Sequence, residues 1–378
     1  MKIVHIINNL HIGGAESLIS TLLPKIKAVG MDCQLICLND FNESTYVNEL
    51  ETLHIPIHIL NKKSSLYHPI LILKIGRLLQ KINPDIVHVH LFPAFYWAAL
   101  AKKIFGLKSK FLFTEHATFN RRQNLIWWKP LELFVYRQYQ QIICISGGVE
   151  NRMKKYLKGQ FITKIENGIP LEKYRQNNPI CSNASLVQLV ESLHSIKENK
   201  LIISVGRLVP DKNQQTMIRM MTVLTSDYVL MIVGEGECRA ELEKLIQSLK
   251  LENRIFLLGA QTDIPYLIKQ AHAGIFTSRV EGFGLAALEM MASGLPVAFS
   301  SVPGLNELCP DESLMASQDD YNQFAIIIQR LMQDESYYQQ MKEKCLSRSN
   351  AYSIQEMANK HIKLYQQVLS DSPYPEMG

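Results

Sequence analysis

The sequence predicts an α/β protein made of two consecutive domains, each built on a doubly wound parallel sheet. Three observations lead to this prediction: the length of the chain, the alternation of short apolar runs with helical segments, and a polar interruption near the middle. A chain of 378 residues exceeds the usual size of one compact core. Two domains of about 150 to 200 residues are therefore expected.

The composition is that of a folded globular protein and excludes several other classes. Hydrophobic residues make up 47% of the chain, charged residues make up 20%, and the mean hydropathy is -0.02. These values exclude a disordered or collagen-like chain. Seven scattered cysteines, an odd number, do not suggest a disulfide framework. No apolar run reaches the roughly 18 to 20 residues that span a bilayer, so a cytoplasmic location is expected.

Charge is divided unequally along the chain, whose net charge is +5. Residues 1–180 contain 23 Lys and Arg against 12 Asp and Glu, whereas the remaining residues contain 17 against 23. The basic half predicts an anionic partner, such as the inner face of a membrane or a phosphorylated acceptor, and a solvated basic face is the alternative. Neither an aromatic ladder nor a known motif indicates nucleic acid.

Each predicted domain begins with a strand and then alternates helices and strands. Buried parallel strands read as continuous apolar runs, which is the pattern found here. The first series consists of KIVHII, QLICL, IPIHIL, DIVHVHL, KFLFT, QIICIS and FITKIEN. The second series consists of LIISVGR, YVLMIVGEGE, RIFLLGA, AGIFTS and LPVAFS. From about residue 319 the sequence pattern predicts three helices, the last at roughly 353–369.

The polar stretch at 176–200 separates the two series and predicts the link between the domains. The first domain is predicted at 1–180 and the second at 198–352. The last helix, at about 353–370, is predicted to pack back on the first domain. Ligands of such sheets bind beyond the carboxyl ends of the strands, so chemistry is expected there.

Three motifs at strand ends indicate phosphate binding. Gly13 and Gly14 precede the first helix, where backbone amides and the helix dipole favour an anion, although a tight turn without a ligand is equally consistent. Further along, Gly206 ends a strand and is followed by Arg207 and Lys212. The planar guanidinium of arginine and the compact ammonium of lysine together suit a diphosphate.

The third motif, EGFGLAALE, begins at Glu281 and ends at Glu289. Its glycines, Gly282 and Gly284, free the backbone at the start of a helix. Glu289 lies within an otherwise apolar helix, where a carboxylate without a partner is costly to bury. At about 1.5 Å per residue it lies roughly 7 to 8 Å from the phosphate-binding end, within reach of ribose hydroxyls.

Taken in order, these segments resemble the retaining glycosyltransferases of family 4. The segments are GGAE, DIVHVH, TEH, CISGGV, ENGIP, GRLVPDKN, IVGEGE, EGFGLAALEMMASGLPV and VPGLNE. They cover nearly the whole chain, and the two glutamates of EGFGLAALE are the most specific part. The resemblance implies the GT-B fold, in which two Rossmann-like domains face each other across a cleft.

The resemblance also implies an activity and the residues that perform it. A sugar would pass from a UDP- or GDP-linked donor to a hydroxyl of a saccharide or lipid-linked acceptor, in the synthesis of surface polysaccharide or glycolipid. The implied catalytic residues are His116, Arg207, Lys212 and Glu281. The implied donor-binding residues are Gly13, Gly14, Gly206, Arg207, Lys212, Gly234, Glu281, Gly282, Phe283, Gly284, Leu285 and Glu289.

No metal or other cofactor is expected. The chain contains no D-x-D triplet, so Arg207, Lys212 and a helix dipole would supply the positive charge that Mg²⁺ supplies elsewhere. His88 and His90 share one face of a strand, and core packing or acceptor lining is the favoured interpretation over a metal pair. Similarity to the family suggests front-face substitution, in which the departing phosphate helps to deprotonate the acceptor.

Two further readings of the sequence stay open. The segment from Arg121 to Lys129 combines basic residues with Trp127 and Trp128, as segments at membrane interfaces do, although packing of the tryptophans on the first domain is the alternative. A sugar-nucleotide epimerase of the same architecture and a catalytically silent nucleotide-sugar-binding protein are the alternative functions.

Overall fold

The computed structural model describes residues 1–11, 13–40, 45–61, 65–116, 126–158, 161–177, 179–195 and 199–370. The chain forms two compact units, each with its own internal contacts. The first unit contains Met1–Gly168 and Ile354–Gly378, and the second contains Ile169–Ser353.

The described part of the first unit is built on a seven-stranded parallel sheet with the order β3-β2-β1-β4-β5-β6-β7. Its strands are β1 (Lys2–Ile7), β2 (Asp32–Asn39), β3 (Ile57–Asn61), β4 (Ile86–His90), β5 (Lys110–Glu115), β6 (Gln141–Cys144) and β7 (Ile162–Lys164). Most of β1, β4 and β5 is fully buried, because helices cover both faces of a doubly wound sheet.

Helices alternate with these strands, and one further helix returns from the end of the chain. They are α1 (Gly14–Ala28), α2 (Thr45–Thr52), α3 (Ile70–Ile82), α4 (Ala94–Phe105), α5 (Lys129–Tyr136), α6 (Gly147–Tyr156) and the returning α16 (Ile354–Ser370). The returning helix packs on α1, and its Leu364, Tyr365 and Val368 are buried. Spacing of three to four residues places these side chains on one face of the helix.

The second unit is built on a six-stranded sheet, in its described residues, with the order β10-β9-β8-β11-β12-β13. Its strands are β8 (Lys200–Val205), β9 (Tyr228–Val233), β10 (Ile255–Leu257), β11 (Ala273–Phe276), β12 (Val297–Ser300) and β13 (Met315–Ala316). All neighbouring strands pair in parallel. The order reverses between β8 and β11, which is where doubly wound sheets bind ligands.

The helices of the second unit are short around the sheet and longer near its end. They are α7 (Leu171–Arg175), α8 (Ala184–Ser195), α9 (Gln214–Met220), α10 (Arg239–Ser248), α11 (Ile264–Gln270), α12 (Leu285–Ala292), α13 (Pro303–Asn306), α14 (Tyr321–Gln333) and α15 (Glu335–Ser349). The three helices expected after residue 319 are therefore α14, α15 and α16.

The boundary between the units lies earlier than the predicted end of the first domain at 180. The segment after Gly168 belongs to the second unit because α7 packs on α12 with Leu171 and Tyr174 buried. Ser182, within the predicted link, donates from its amide and its hydroxyl to Asp263, at 2.9 and 3.0 Å. The second unit thus begins at Ile169, before the predicted residue 198, and ends at Ser353.

The two-sheet α/β architecture predicted from the sequence is confirmed. Among the described residues, no helix is both long enough and apolar enough to cross a membrane.

Candidate active site

The candidate site of the second unit lies where the strands β8 and β11 end. These neighbouring strands run parallel, so their carboxyl ends share one edge of the sheet. The loop after β8 carries Gly206, Arg207 and Lys212, and the loop after β11 carries Glu281. Most of the predicted donor-binding residues therefore follow two adjacent strands at the point where the strand order reverses.

Lys212 and Glu281 form an ion pair that links these two loops. The ammonium of Lys212 contacts Oε2 of Glu281, and the hydroxyl of Ser278 lies 3.4 Å from the same oxygen. The side chains of Lys212 and Glu281 are only 21% and 13% exposed, so water screens the pair less than it screens a surface pair. The predicted cation is thus held by a carboxylate that the sequence analysis assigned to the sugar.

Hydrogen bonds through the backbone hold the same two loops together. The hydroxyl of Thr277, which directly follows β11, donates to the carbonyl of Asn213 at 2.8 Å, and the amide of Arg279 donates to the carbonyl of Asp211 at 2.8 Å. The buried side-chain amide of Asn213 donates to the carbonyl of Gln318 at 2.8 Å. These hydrogen bonds fix the backbone of the loop that carries Lys212. Less conformational entropy is therefore lost when Lys212 binds a ligand.

Gly234 allows the loop after β9 to approach the backbone of Gly206 in the loop after β8 closely. Gly234 has φ of +138°, a conformation that L side chains rarely adopt, and a Cβ there would overlap the carbonyl oxygen of Gly206. The aliphatic part of Lys212 passes Gly206, since a Cβ on Gly206 would lie 3.9 Å from Cδ and Cε of Lys212. Gly234 therefore has a steric reason to be glycine at this edge of the sheet, whereas a Cβ on Gly206 would make only ordinary van der Waals contact with Lys212.

The start of α12 presents backbone amides beside these loops. Gly284 precedes the helix with φ of +92° and has no side chain to cap it, so the amides of Leu285 and the following residues are those a bound anion can use. The side chain of Phe283 is 2% exposed and packs edge-to-face on Tyr352 at 5.4 Å, so Phe283 is a core residue whose backbone alone can meet a ligand. Gly282 lies between it and Glu281.

Glu289 lies on α12 and is hydrogen-bonded by Tyr174 of α7. Burial raises the pKa of the Glu289 carboxyl to about 7, while the hydrogen bond from Tyr174 and the nearby Lys173 act in the opposite direction. The partner that the sequence analysis required for this carboxylate is therefore present as Tyr174. A group with this pKa changes its charge readily near neutral pH.

Arg207 lies in the loop after β8, and its side chain is exposed. Its carbonyl accepts a hydrogen bond of 2.8 Å from the side chain of Gln214, which holds the backbone of the loop. The structure therefore gathers Lys212, Glu281 and the two close glycines, while the guanidinium of Arg207 lies toward solvent.

In the first unit, the predicted residues also follow strand ends. Gly13 is extended with φ of -170°, and Gly14 is the first residue of α1. Asn8, directly after β1, donates to the carbonyl of Phe92 at 2.7 Å and so joins the loops after β1 and β4. His116 directly follows β5 and is partly buried, and its Nε2 lies 3.3 Å from Nδ1 of His90.

His88 and His90 of β4 belong to a buried cluster that also includes His5 of β1. These three side chains are 0 to 1% exposed, and one nitrogen from each lies within 4.8 Å of the others. His5 is the third histidine that the sequence analysis did not find. Nε2 of His88 lies 2.7 Å from the hydroxyl of Thr114 and Nδ1 lies 2.7 Å from that of Tyr365, so both nitrogens of this ring are hydrogen-bonded. The cluster is thus a hydrogen-bonded network in the core, which agrees with the interpretation of His88 and His90 as core residues.

The basic and aromatic segment lies only partly within the described residues. Arg121 and Arg122 lie outside them. Trp127 is 71% exposed, whereas the indole nitrogen of Trp128 donates to the hydroxyl of Tyr96 at 2.9 Å. One tryptophan therefore packs on the first unit and the other faces solvent.

Two family profiles match almost the whole chain. The profile described as glycosyltransferase family 4 matches residues 12–173, and the profile described as glycosyl transferases group 1 matches residues 189–347. The first match lies almost entirely in the first unit, and the second lies within the second unit.

Characterised relatives extend over most of the chain. A UDP-Gal:alpha-D-GlcNAc-diphosphoundecaprenol alpha-1,3-galactosyltransferase of Escherichia coli is 27% identical over 310 residues, which is 78% of each chain. An N-acetylgalactosamine-N,N'-diacetylbacillosaminyl-diphospho-undecaprenol 4-alpha-N-acetylgalactosaminyltransferase of Campylobacter jejuni is 27% identical over 380 residues, which is 94% of this chain and 97% of that one.

A solved structure shows the same fold at lower identity. HepE of Anabaena, crystallised with UDP-glucose, has a TM-score of 0.82 and 19% identity, and the match covers 97% of this chain and 100% of HepE. The family, the fold and the class of enzyme predicted from the sequence are confirmed. The chain therefore belongs to glycosyltransferase family 4, and it is a glycosyltransferase with the GT-B fold.

Proposed function

We propose that this enzyme transfers a hexose from a UDP-linked donor to a hydroxyl of a saccharide carried on a polyprenyl diphosphate, with retention at the anomeric carbon. The E. coli relative is named for UDP-Gal and a diphosphoundecaprenol-linked acceptor, and the C. jejuni relative for an acceptor of the same lipid class. HepE was crystallised with UDP-glucose. Such a product belongs to the synthesis of surface polysaccharide or glycolipid.

The pairing of Lys212 with Glu281 is the observation that carries the proposed donor site. A diphosphate bound at the ends of β8 and β11 would meet the ammonium of Lys212 and the backbone amides at the start of α12. Arg207, exposed on the same loop, would complete the positive charge around the leaving group. These charges would stabilise the diphosphate as its negative charge grows during transfer.

Glu289 is the proposed ligand of the donor ribose. Its carboxylate lies on the helix whose amino end would hold the phosphates, and Tyr174 already orients it by a hydrogen bond. Two ribose hydroxyls can donate to a carboxylate, and such bonds favour its ionised form. Donor binding would then release a proton from the enzyme near neutral pH.

Retention is proposed to proceed on the front face of the donor. A double displacement needs a carboxylate nucleophile beside the anomeric carbon. Here Glu281 is bound by Lys212, and Glu289 is bound by Tyr174 on a different element. The departing phosphate would instead accept the proton of the acceptor hydroxyl, so rate enhancement rests on positioning and on leaving-group stabilisation. From the family resemblance, His116 is proposed to contact the transferred sugar.

No metal is proposed to take part in transfer. In this proposal the charge of Lys212, of Arg207 and of the α12 amides replaces that of a divalent cation. Transfer should therefore continue after exhaustive treatment with EDTA, and loss of activity that Mg²⁺ or Mn²⁺ restores would contradict this part of the proposal.

The exposed face of α5 and the turn before it is proposed to bind an anionic membrane. This face, called the α5 surface, consists of Trp127, Lys129, Leu131, Phe134 and Arg137. Residues three and four apart lie on one side of a helix, so the apolar and basic groups share this side while Glu132, Val135 and Tyr136 are buried. A polyprenyl-linked acceptor lies in a membrane, and the basic residues suit anionic headgroups. The enzyme would thus act on the cytoplasmic face as a peripheral protein.

The donor is tested by combining a binding panel with a transfer assay. UDP-, GDP- and ADP-linked hexoses are compared by thermal shift, since a ligand at 100 times its dissociation constant adds about 2.7 kcal/mol to stability. A UDP-hexose should give the largest shift and should transfer its sugar to a polyprenyl-diphosphate saccharide with retention, measured by NMR of the product.

Other outcomes of this experiment contradict the proposal in different ways. A larger shift with a GDP-hexose would show that the donor nucleotide is GDP and not UDP. Release of an altered donor without an acceptor would indicate an epimerase, and binding without transfer to any saccharide or lipid acceptor would indicate a catalytically silent protein. Inversion at the anomeric carbon would overturn the proposed mechanism.

A further inference from the structure

Two aromatic side chains of the first unit lie in contact at its surface, and they are called the aromatic pair. They are Tyr67, in the loop after β3, and Phe92, in the loop after β4. Their ring centroids are 5.8 Å apart, and their planes are inclined by 48°. Tyr67 is 61% exposed and Phe92 is 38% exposed. The two rings therefore present adjoining apolar surface to solvent.

The aromatic pair lies close to the point where the strand order of the first unit reverses. In the described residues the sheet has the order β3-β2-β1-β4-β5-β6-β7, so this point is between β1 and β4. Asn8 follows β1 and bridges to the loop after β4, because its side chain donates to the carbonyl of Phe92 at 2.7 Å and accepts from the amide of Ala94 at 3.3 Å. Doubly wound sheets bind ligands beyond the strand ends at such a reversal.

The backbone just before Phe92 is strained. Leu91 has φ of +64°, in the left-handed region that leucine rarely adopts. The carbonyl of Leu91 accepts a hydrogen bond of 3.0 Å from the amide of Phe95, which helps to hold this turn. Phe95 and Tyr96, the next two aromatic residues, are buried, whereas Phe92 is exposed. The turn thus leaves one aromatic ring outside the core, and strained turns of this kind cluster at ligand-binding sites.

The loop that carries Tyr67 is fixed on both sides of this residue. The indole nitrogen of Trp97 donates to the carbonyl of Leu66 at 2.8 Å. The amide of Tyr67 donates to the hydroxyl of Ser65 at 3.2 Å, and the amide of His68 donates to the carbonyl of Ser65 at 3.2 Å. A tyrosine side chain on a fixed backbone has only two torsions to restrict, so a ligand that packs on it loses little of its affinity to ordering.

The chemistry of the two rings favours a neutral sugar as the ligand. The face of an aromatic ring carries partial negative charge, which attracts the partially positive C–H groups of a pyranose. Two rings inclined by 48° cannot both lie flat on one planar nucleobase, whereas a pyranose chair is thick enough to meet one ring with its face and the other with its edge. A prenyl chain gains most in an enclosed groove that excludes water, and these rings are open to solvent.

We propose that the aromatic pair is a subsite that binds one pyranose ring of the acceptor saccharide. Tyr67 and Phe92 contact the C–H groups of the sugar, and Asn8 and Trp97 are positioning residues that hold the two loops. The subsite belongs to the first unit alone. Its assignment to the acceptor rests on the function proposed above, whereas its affinity for a sugar depends on the pair alone.

Sugar binding is tested on the full-length protein in the absence of a donor. The probes are the methyl glycosides of glucose, galactose, N-acetylglucosamine and N-acetylgalactosamine, and the tyrosine rings are labelled with ¹³C. The variant Tyr67→Phe assigns the ring signal of Tyr67, because that signal disappears. At least one glycoside should shift this signal in a saturable manner. No shift with any of the four would overturn the proposal.

Uridine and farnesyl diphosphate test the competing ligands, a nucleobase and a prenyl chain. Neither should shift the Tyr67 signal at the concentration at which the glycoside does so. A stronger shift with uridine or with farnesyl diphosphate than with every glycoside would overturn the proposal.

Kinetics test whether the pair acts on the acceptor, which is a farnesyl diphosphate that carries the sugar found to bind. Tyr67→Ala should raise KM for this acceptor about threefold to tenfold, as expected for one aromatic contact, while KM for the donor stays within about twofold. Tyr67→Phe keeps the ring and should retain the KM of the wild type. Phe161→Ala is the matched control, because Phe161 is 52% exposed in the same unit but precedes β7, at the opposite edge of the parallel sheet.

A second variant removes the other ring of the pair. Phe92→Leu keeps an apolar side chain beside Tyr96, which packs edge-to-face on Phe92 at 5.5 Å, and should raise KM for the acceptor in the same way. Thermal unfolding shows whether each variant is folded. An unchanged KM for the acceptor in folded Tyr67→Ala or in folded Phe92→Leu would overturn the proposal.

The subsite and the proposed function fail in different ways. Saturable binding of a glycoside at Tyr67 by a chain that transfers no sugar would support the subsite as a sugar site and overturn the proposed function. Normal transfer with the same acceptor KM in Tyr67→Ala, Phe161→Ala and the wild type would overturn the subsite and leave the proposed function in place. A rise in KM for the donor alone in Tyr67→Ala would also overturn the subsite.

Discussion

The ammonium of Lys212 is ion-paired with the carboxylate of Glu281, and this pair joins the loops that follow β8 and β11. A partly buried charge is costly without a partner, so each residue stabilises the other while no ligand is bound. A bound diphosphate would offer Lys212 a second anionic partner. Glu281 would then be available to a hydroxyl of the sugar.

Replacement of Lys212 by Ala should lower transfer by about 100-fold or more, because one charge-assisted contact with the leaving group is lost. Lys200→Ala is the matched control. Lys200 is ion-paired with Asp227 at 2.7 Å with a similar exposure, but it begins β8, whereas Lys212 follows the end of that strand. The control should stay within about twofold. Equal effects of the two changes, or near-normal turnover of a folded Lys212→Ala, would remove Lys212 from the proposed role.

Donor affinity should rise with pH because Glu289 must ionise to accept the ribose hydroxyls. With a pKa of about 7, the ionised fraction increases about tenfold between pH 6 and pH 8. Calorimetric titration with a UDP-hexose in two buffers of different ionisation enthalpy should show proton release that is lost in Glu289→Gln. Glu241→Gln, an exposed change on α10, should keep it. Affinity of the wild type that does not vary with pH would contradict the assignment of Glu289.

The close approach of Gly234 to Gly206 predicts a large loss of stability in Gly234→Ala. The variant introduces both a strained backbone, which costs about 1 to 3 kcal/mol, and an overlap with the carbonyl of Gly206. Gly30→Ala is the control for strain alone, since Gly30 has φ of +79° with open space around it. Urea unfolding should show the larger loss in Gly234→Ala, with weaker donor binding in that variant only. Equal losses of stability in Gly234→Ala and Gly30→Ala would mean that the loop shifts to accommodate the added methyl group.

The buried histidines predict that the enzyme loses stability as the pH falls below about 6.5. The pKa of His361 is lowered to about 4, mainly by burial, so the unfolded chain binds a proton there that the folded chain rejects. The stabilisation is fully present above pH 6.5 and decreases toward pH 4. Each such histidine contributes about 1.4 kcal/mol per pH unit in this window.

The dependence is measured by urea unfolding between pH 5 and pH 7. His361→Gln should reduce the slope of stability against pH by about one proton, whereas His11→Gln, at an exposed position, should leave it unchanged. Glu289 acts in the opposite sense, because its raised pKa favours the folded state at low pH, and its effect cancels between the variants. An unchanged slope in His361→Gln would show that the histidine is charged when folded.

Binding to anionic vesicles should depend on the α5 surface. Phe134→Glu places a negative charge among the exposed apolar groups and should lower sedimentation with vesicles of phosphatidylglycerol at low salt. Ile104→Glu is the control, since Ile104 is 63% exposed on α4 beside two lysines. Similar losses in both variants would indicate that net charge alone governs binding. Absence of binding by the wild type would discard the membrane proposal.

Most strands could be predicted because they lie in continuous apolar runs between helical segments. The strand β13 (Met315–Ala316) has only two residues, which is too short for a hydrophobic pattern to be recognised. The boundary at Gly168 could not be predicted either, because the polar stretch that follows suggests a link, whereas α7 packs on α12 with Leu171 and Tyr174 buried.

The site was predicted where one short segment contains all its parts and missed where distant segments meet. Lys212, Gly284 and Glu289 lie in compact motifs next to strand ends. Tyr174 is hydrogen-bonded to Glu289 but is distant from it in the sequence, and no motif or residue spacing predicts this contact. His5 is a single histidine in an apolar run, and only the parallel register of β1 with β4 places it opposite His88.

The return of α16 to the first unit has a consequence for the order in which the protein is made. Tyr365 supplies a buried contact to His88, yet the ribosome adds it only after every residue of the second unit. The unit that is synthesised first is thus the last to be completed, and a chain that ended at Ser353 would contain every residue of the second unit but lack the last helix of the first.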